Sequence, residues 1–220
     1  MDAYLNEKFH DQLAEMGVEV EGLYYEITPI LRKVVILTKE GPKEINVSVL
    51  PACSSLNVYP VEPLTVKEML EPVKDKFDFC IVDMPAELSE MTYSALVACD
   101  YVLVMARPDY DSFKHWGEFT EAAELIRNEG WNLTLKTLGI CINEFESFAG
   151  IRSLMTMLES VDDIQSYILD TKIPHSGTIN TANVHNVPVI YFAPKAPATK
   201  TYVKLVKEVL KRIEKFEKKR

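Results

Sequence analysis

Uninterrupted apolar runs alternate with segments of helical spacing along most of this sequence, and that alternation limits the folds available to the chain. The runs at 77–84, 101–106 and 135–143 are mostly apolar and contain few polar residues. Strands of this kind are buried on both faces, as they are in parallel sheets that helices cover. The sequence therefore predicts an α/β protein with a doubly wound, mostly parallel sheet and helices on both faces.

Turn-forming residues and capping patterns divide the chain into elements. Thr65 and Glu68 have the spacing of a capping box, and Asp111 is placed to cap a long helix that Gly130 ends. The predicted elements in chain order are a helix at 3–16, strands at 33–37 and 45–50 that can form a hairpin, a helix at 65–74, a strand at 77–84, a helix at 88–98, a strand at 101–106, a helix at 111–128, a strand at 135–143, helical structure through the 150s and 160s, a short strand ending at Pro174, an extended piece at 189–192 and a helix at 199–218.

The bulk properties of the chain are those of an ordinary soluble protein. A chain of 220 residues can bury a full core, so we predict a single domain over 1–220, with a divergent segment at 1–44 and a basic helix at 195–220. No apolar run approaches the ~18 residues of a membrane span, and the first residues lack the regions of a signal peptide. The four cysteines form no CxxC pair, which favours small buried thiols and a cytoplasmic location.

Charge is distributed unevenly along the chain. Residues 195–220 carry ten Lys or Arg and three Asp or Glu, whereas the other 194 residues carry 14 basic and 30 acidic side chains. A basic helix on an acidic body predicts an anionic partner at that end. The alternative is a solvated helical tail whose cations complement the negative end of the helix dipole.

Two polar residues stand where predicted strands end, which is where ligands bind in parallel sheets. Asp83 lies at the end of the run at 77–84, and a carboxylate there can orient Mg²⁺ through a bound water. Asn143 closes the run at 135–143, and its amide can both donate to and accept from the edge of an adenine ring. Each residue also has a plainer interpretation, as a loop or helix-start aspartate and as a turn-forming asparagine.

A phosphate-binding loop of the common kind does not occur in the printed sequence. None of the eight glycines is followed by Lys, so the pattern GxxxxGK[ST] is missing. Without a nest of main-chain N–H groups and that lysine, a bound triphosphate loses most of its electrostatic stabilisation. We therefore expect that this polypeptide by itself does not hydrolyse ATP efficiently.

Five segments, in order, resemble motifs of the ParA/MinD family of deviant-Walker ATPases, nearest to its ParA partition branch. Residues 45–52 (INVSVLPA) resemble the family strand LDLIPA, and 77–86 (FDFCIVDMPA) resemble its Walker B strand YDYIIIDCPP. The other three are 93–104 (YSALVACDYVLV), similar to NALVAADEVLIP, 138–143 (LGICIN), similar to LGVLLT/N, and 173–202, similar to IPRN…A…GKPV…Y. Their common order makes the resemblance specific.

The resemblance implies a P-loop NTPase-like fold, with ATP and Mg²⁺ as cofactors and a role in plasmid or chromosome segregation. It implies that Asp83 serves the magnesium ion through water, and that Asn143 and Pro174 lie beside the adenine. It also implies a homodimer, a ParB-like partner protein that stimulates hydrolysis, and non-specific DNA binding by the basic helix. The candidate DNA-binding residues are Lys200, Lys204, Lys207, Lys211 and Arg212.

The chain departs from the family pattern at its start, because only 44 residues precede Ile45. One explanation is a shortened, N-terminally incomplete partition ATPase, in which residues 3–16 form the helix after the second nucleotide strand. The other is a paralogue without the phosphate loop, which would act as a non-catalytic interaction module, a pseudo-ATPase. A MinD-like membrane role has less support, because the apolar face of the basic helix is expected to pack on the body. That face comprises Leu205, Val209, Ile213 and Phe216.

Overall fold

The computed structural model describes residues 32–38, 41–50, 61–159 and 162–218, and the predicted helix at 3–16 lies outside these ranges. The chain divides between Cys99 and Asp100 into two units, each with buried apolar clusters of its own. Within the described ranges, no helix has both the length and the apolar character needed to cross a bilayer.

The first unit contains an antiparallel hairpin, which confirms the predicted pairing. Strands β1 (Arg32–Thr38) and β2 (Gly41–Val49) pair from Arg32↔Val49 to Thr38↔Gly41. Helix α1 (Thr65–Leu70) continues into a 3₁₀ helix (Glu71–Lys76), and α2 (Glu90–Ala98) follows. The change from α to 3₁₀ geometry occurs at Pro72, which has no N–H group to continue the α-helical hydrogen bonds.

The start of α1 differs from the predicted capping box. Leu64 occupies the N-cap position, and the Thr65 hydroxyl group accepts a hydrogen bond from the Glu62 N–H at 3.1 Å. Thr65 is the first residue of the helix rather than the residue before it, so the capping box is wrong. In α2 the cap is regular, because the Ser89 hydroxyl group accepts a hydrogen bond from the Thr92 N–H at 3.3 Å.

A buried cluster holds α1 and the 3₁₀ helix against α2. Its members are Val66, Met69, Val73 and Ala95. The Val66 N–H also donates to the Ser94 hydroxyl group at 2.9 Å, in a buried hydrogen bond between the two helices. Packing and a satisfied polar contact therefore both fix α1 to α2.

Residues 77–85 form no strand with any described part of the chain, so the strand predicted at 77–84 is wrong. Val82 and Met84 pack against the buried cluster of the first unit, whereas Phe79 is 63% exposed and Ile81 is 91% exposed. This alternation is typical of an extended chain with one face inward. An apolar run indicates burial, but a strand also needs a hydrogen-bonding neighbour, and none of the described strands pairs with this one.

The second unit is built on two parallel strands. Strands β3 (Tyr101–Ala106) and β4 (Lys136–Ile142) pair from Tyr101↔Lys136 to Ala106↔Ile142, with a bulge where Val102↔Thr137 is followed by Leu103↔Gly139. Helix α3 (Tyr110–Asn128) makes the crossover between the two strands. The later helices are α4 (Ala149–Glu159), α5 (Asp162–Gln165), α6 (Gly177–Val184), α7 (Val189–Phe192) and α8 (Pro197–Glu217).

A third extended segment, residues 167–175, runs parallel to β4. It contacts β4 and its continuation through isolated bridges at Ile140↔Ile168 and Phe145↔Pro174, and not as a continuous strand. The short strand predicted to end at Pro174 therefore has the expected direction but interrupted pairing.

Helices cover both faces of these strands, which confirms the α/β class. Ile142 of β4 belongs to a buried cluster with Trp116 of α3 and Met155 of α4. The adjacent Cys141 belongs to a different cluster, with Leu205 of α8. Because successive residues of a strand point to opposite faces, α3 and α4 cover one face of the pair and α8 covers the other.

The cysteines of the described ranges differ from one another. Cys141 is fully buried, and burial, with a smaller effect from the charge of Glu208, raises the pKa of its thiol to about 11. It is therefore a small protonated core residue, as predicted. Cys80, on the extended segment at 77–85, is exposed, contrary to the prediction of a buried thiol.

Two local predictions in the second unit are wrong. The cap of α3 is Asp109, whose carboxylate accepts a hydrogen bond from the Ser112 N–H at 2.8 Å, and not Asp111. Residues 189–192 form the short helix α7 instead of an extended piece. Pro188 immediately precedes this helix, and its carbonyl group accepts hydrogen bonds from the Tyr191 and Phe192 N–H groups.

Candidate functional site

The two residues predicted to contact adenine lie at the same edge of the second unit. The Asn143 N–H donates to the Ala106 carbonyl group at 2.8 Å, which places Asn143 beside the end of β3. The Phe145 N–H donates to the Ile173 carbonyl group at 2.8 Å, and the bridge Phe145↔Pro174 places Pro174 beside the continuation of β4. Asn143 and Pro174 are both half-buried. We refer to them as the strand-end pair.

Charged residues to which the sequence analysis assigned no role flank the strand-end pair. Arg107, just after β3, forms an ion pair with Glu144, just after β4, with 2.9 Å between Nε and Oε2. Glu144 has a φ of 53°, an uncommon conformation for a residue other than glycine. The Lys172 ammonium group lies 5.3 Å from the centre of the Phe145 ring. The sequence signal for Arg107 and Glu144 is their position just after a strand, and Lys172 has none.

Asp83, the predicted magnesium residue, lies in the first unit, exposed near the end of the extended segment 77–85. Among the described residues, no group of three or more His, Cys, Asp or Glu side chains could hold a metal ion. A lone exposed carboxylate fits the habit of Mg²⁺, which keeps several waters and takes one or two carboxylates. The role of Asp83 stays a prediction.

The four predicted lysines lie on the exposed side of α8. Lys200, Lys204, Lys207 and Lys211 are exposed and spaced by four, three and four residues, so they share one helix face. We refer to them as the lysine stripe. Leu205 and Val209 of the same helix pack in the cluster with Cys141, so the apolar face of α8 lies inward. The stripe is thus a row of four positive charges on an anchored helix.

Arg212 does not belong to this stripe. Its guanidinium group donates from Nη1 to the carbonyl groups of Leu138 at 2.7 Å and Tyr167 at 3.3 Å, and from Nη2 to that of Ile168 at 3.1 Å. The sequence grouped it with the lysines by charge alone. On an α-helix, however, Arg212 is about 100° away from Lys211, toward the packed side.

Glu208 lies one turn before Arg212 and holds main-chain donors. Its carboxylate accepts hydrogen bonds from the N–H groups of Asp170 at 2.8 Å and Thr171 at 2.9 Å, and it lies 3.8 Å from Arg212. Burial acts to raise the pKa of Glu208, but the Thr171 side chain, the two N–H donors and Arg212 together lower it. The Thr171 hydroxyl group has no hydrogen-bond partner of good geometry among the described residues, so we assign the lowering mainly to the two N–H donors and Arg212.

Replacing Glu208 by glutamine is expected to reduce stability most at neutral pH. A carboxyl group whose pKa is lowered by folding stabilises the folded state at pH values above its ordinary pKa of ~4.3. This contribution disappears as the pH falls through the lowered pKa. At pH 7 we expect a loss of about 1.5–3 kcal/mol in the free energy of unfolding. Urea unfolding at pH 7, 5 and 3.5 should show the difference from the unsubstituted protein shrinking with acid. Glu214→Gln, at an exposed position of α8, is the control, and a pH-independent difference contradicts the prediction.

Comparison with known proteins extends the likeness beyond single motifs. Residues 45–140 match a family model described as an AAA domain. A ParA family protein of Chlamydia pneumoniae is 32% identical over 145 residues, which are 66% of this chain and 55% of that protein. The chromosome partitioning protein ParA of Myxococcus xanthus is 25% identical over 151 residues, or 67% of this chain and 51% of that protein. The chain thus spans about half the length of these relatives.

A solved structure has the same fold over most of the chain. It is that of the septum site-determining protein MinD from Pyrococcus horikoshii, complexed with Mg-ADP. It matches with a TM-score of 0.62 over 90% of this chain and 77% of its own, at 16% sequence identity. The likeness at this identity concerns the fold, and it agrees with the doubly wound α/β class that the residue pattern predicts and the P-loop NTPase-like fold that the resemblance implies.

Proposed function

Because the chain belongs to the ParA/MinD family, we propose that it is a ParA-like partition protein that acts in the segregation of plasmid or chromosomal DNA. The proposal takes its function from the partition relatives, one of which is a chromosome partitioning protein. The observation in this molecule that carries it is the lysine stripe on the exposed face of α8. Four positive charges in a row suit a phosphate backbone and need no particular base sequence.

The proposal includes adenine-nucleotide binding at the strand-end pair and Mg²⁺ at Asp83. Asn143 offers an amide donor and acceptor, and Pro174 offers an apolar ring at the same edge of the second unit, a combination that suits a purine. Bound Mg²⁺ would supply positive charge to the phosphate oxygens. The Mg-ADP held by the Pyrococcus horikoshii protein supports this assignment. The proposal also includes a cytoplasmic homodimer with a ParB-like partner protein.

A second candidate function is a non-catalytic interaction module that keeps only the scaffold. The extended segment at 77–85 favours this alternative. Asp83 belongs to this segment, which pairs with no described strand and leaves most of Ile81 exposed. In this alternative α8 and the strand scaffold bind other macromolecules without nucleotide control.

Nucleotide titration by calorimetry separates the two functions. We expect ATP with Mg²⁺ to bind, and Asp83→Ala to weaken that binding about tenfold or more, because the carboxylate orients the ion. In excess EDTA, which removes Mg²⁺, the unsubstituted protein and Asp83→Ala should bind ATP with equal affinity. Asp78→Ala, another exposed aspartate of the same segment, is the control and should leave affinity unchanged. Absence of binding at millimolar ATP would contradict the nucleotide part of the proposal and favour the interaction module.

A further inference from the structure

The segment that leads to Pro174 does not pair regularly with β4. The Leu169 N–H donates to the Ile140 carbonyl group, and the Ile173 N–H donates to the Ile142 carbonyl group, each at 2.8 Å. Between these two hydrogen bonds β4 advances by two residues and the segment by four. The segment therefore has two residues more than β4 here, and residues 170–172 form a bulge that cannot take all of its hydrogen bonds from β4.

Glu208 supplies the acceptors that the bulge needs. The N–H groups of Asp170 and Thr171 both donate to its carboxylate. Thr171 is buried, so an unpartnered N–H there would be costly. One carboxylate from α8 therefore satisfies the bulge at the point where it leaves β4.

Arg212 holds the other end of the same segment. Its guanidinium group donates to the carbonyl groups of Tyr167 and Ile168 in the segment and of Leu138 in β4. One planar group therefore joins the segment to β4. We call these contacts together the Glu208–Arg212 clasp. The clasp holds both the start of the segment and its bulge, and Pro174 follows three residues after Thr171.

We propose that Glu208 and Arg212 are positioning residues, which fix the register of residues 167–175 on β4 and so hold Pro174 opposite Phe145, two residues beyond Asn143. The proposal rests on the proposed function, since it takes the strand-end pair as the purine site. A bulge can move along a strand when its hydrogen bonds are exchanged, and such a shift here displaces Pro174 along β4. With the clasp intact, the two sides of the site keep one spacing, which reduces the cost of ordering the site on binding.

The test is a double-mutant cycle measured by calorimetric titration with ADP and Mg²⁺. We expect Glu208→Gln to weaken ADP binding about 5–20-fold in an otherwise unsubstituted chain. In an Asn143→Ala chain, which has lost one side of the site, the same change should cost less than about twofold, because positioned residues in one site are non-additive. A merely structural role gives the same factor in both backgrounds. Glu214→Gln should change neither affinity.

Amide hydrogen exchange gives a second readout that needs no nucleotide. Glu208→Gln should speed exchange at Asp170, Thr171 and Ile173 while leaving the Val104 amide of β3 protected. If Glu208→Gln fails to fold by circular dichroism, Arg212→Lys replaces it in both measurements.

The outcomes separate this inference from the function beneath it. Failure of the unsubstituted protein to bind ADP overturns the nucleotide function and the positioning role with it. Binding that Glu208→Gln leaves unchanged, or equal losses in both backgrounds, overturns the positioning role alone. Faster exchange without loss of affinity does the same, since the clasp is then only structural.

Discussion

Replacing Gly139 by alanine is expected to lower the free energy of unfolding of the second unit by about 3 kcal/mol or more. Gly139 has a φ of +144°, a conformation that residues with a side chain rarely adopt. An added Cβ would meet the Tyr167 carbonyl oxygen, and it would lie 2.6 Å from both Arg212 Nη1 and Leu169 Cδ1. The carbonyl group belongs to the main chain and cannot rotate away, so β4, segment 167–175 or α8 must shift.

Urea unfolding followed by tryptophan fluorescence measures this effect, because both tryptophans, Trp116 and Trp131, lie in the second unit. Gly117→Ala is a control of opposite sign. Gly117 lies inside α3 with nothing within 4 Å of an added Cβ, so alanine there should stabilise the protein by about 0.5–1 kcal/mol. Equal midpoints for Gly139→Ala and the unsubstituted protein would show that the close approach at Gly139 is relieved at little cost.

Reversing two charges of the lysine stripe is expected to reduce affinity for duplex DNA by about 30-fold or more at low salt. The change Lys204→Glu with Lys207→Glu removes two cations from the centre of the row and adds two charges that repel phosphates. The slope of log affinity against log salt should fall by about two units, since each phosphate contact releases about one counterion. Fluorescence anisotropy with duplexes of two unrelated sequences measures both quantities.

Lys67→Glu with Lys74→Glu is the matched control, because it makes the same change in net charge at exposed positions of the first unit. If the two double variants lose affinity equally, binding follows net charge, and the stripe has no special part in it. Arg212 is left unchanged in this experiment because its guanidinium group supports the main chain.

The strands and long helices of the second unit could be predicted from sequence, because their signals are local. The continuous apolar runs of β3 and β4 correctly indicated strands, and β4 is buried on both faces as predicted, whereas Met105 of β3 is exposed. The spacing of apolar residues in α8 correctly placed Leu205 on the packed side. In both cases the periodicity of a single element decides the outcome.

The strand at 77–84 could not be judged from its own residues. Its composition resembles that of β3, but strand formation depends on a neighbour that another part of the chain must supply. The structure leaves Ile81 exposed and gives the run no described partner. Asp83 was predicted from its place at the end of that strand, so its assignment depends on the pairing that the structure does not contain among the described residues.

The clasp was missed for a related reason. Glu208 and Arg212 contact residues 37 to 74 positions away in the sequence, and no local pattern signals such hydrogen bonds. The bulge at 170–172 that requires them arises only when two segments advance unequally side by side. Helical geometry separates Arg212 from the lysines, but its destination requires the tertiary structure.

The extended segment at 77–85 has a practical consequence for the purified protein. Phe79 and Ile81 expose apolar side chains on an extended segment, and such segments can pair with strands from other molecules. Self-association would therefore rise with concentration even while both cores stay intact. A binding partner that covers this segment in the folded protein would reduce self-association, and it would also raise the apparent thermal stability because it binds the folded state.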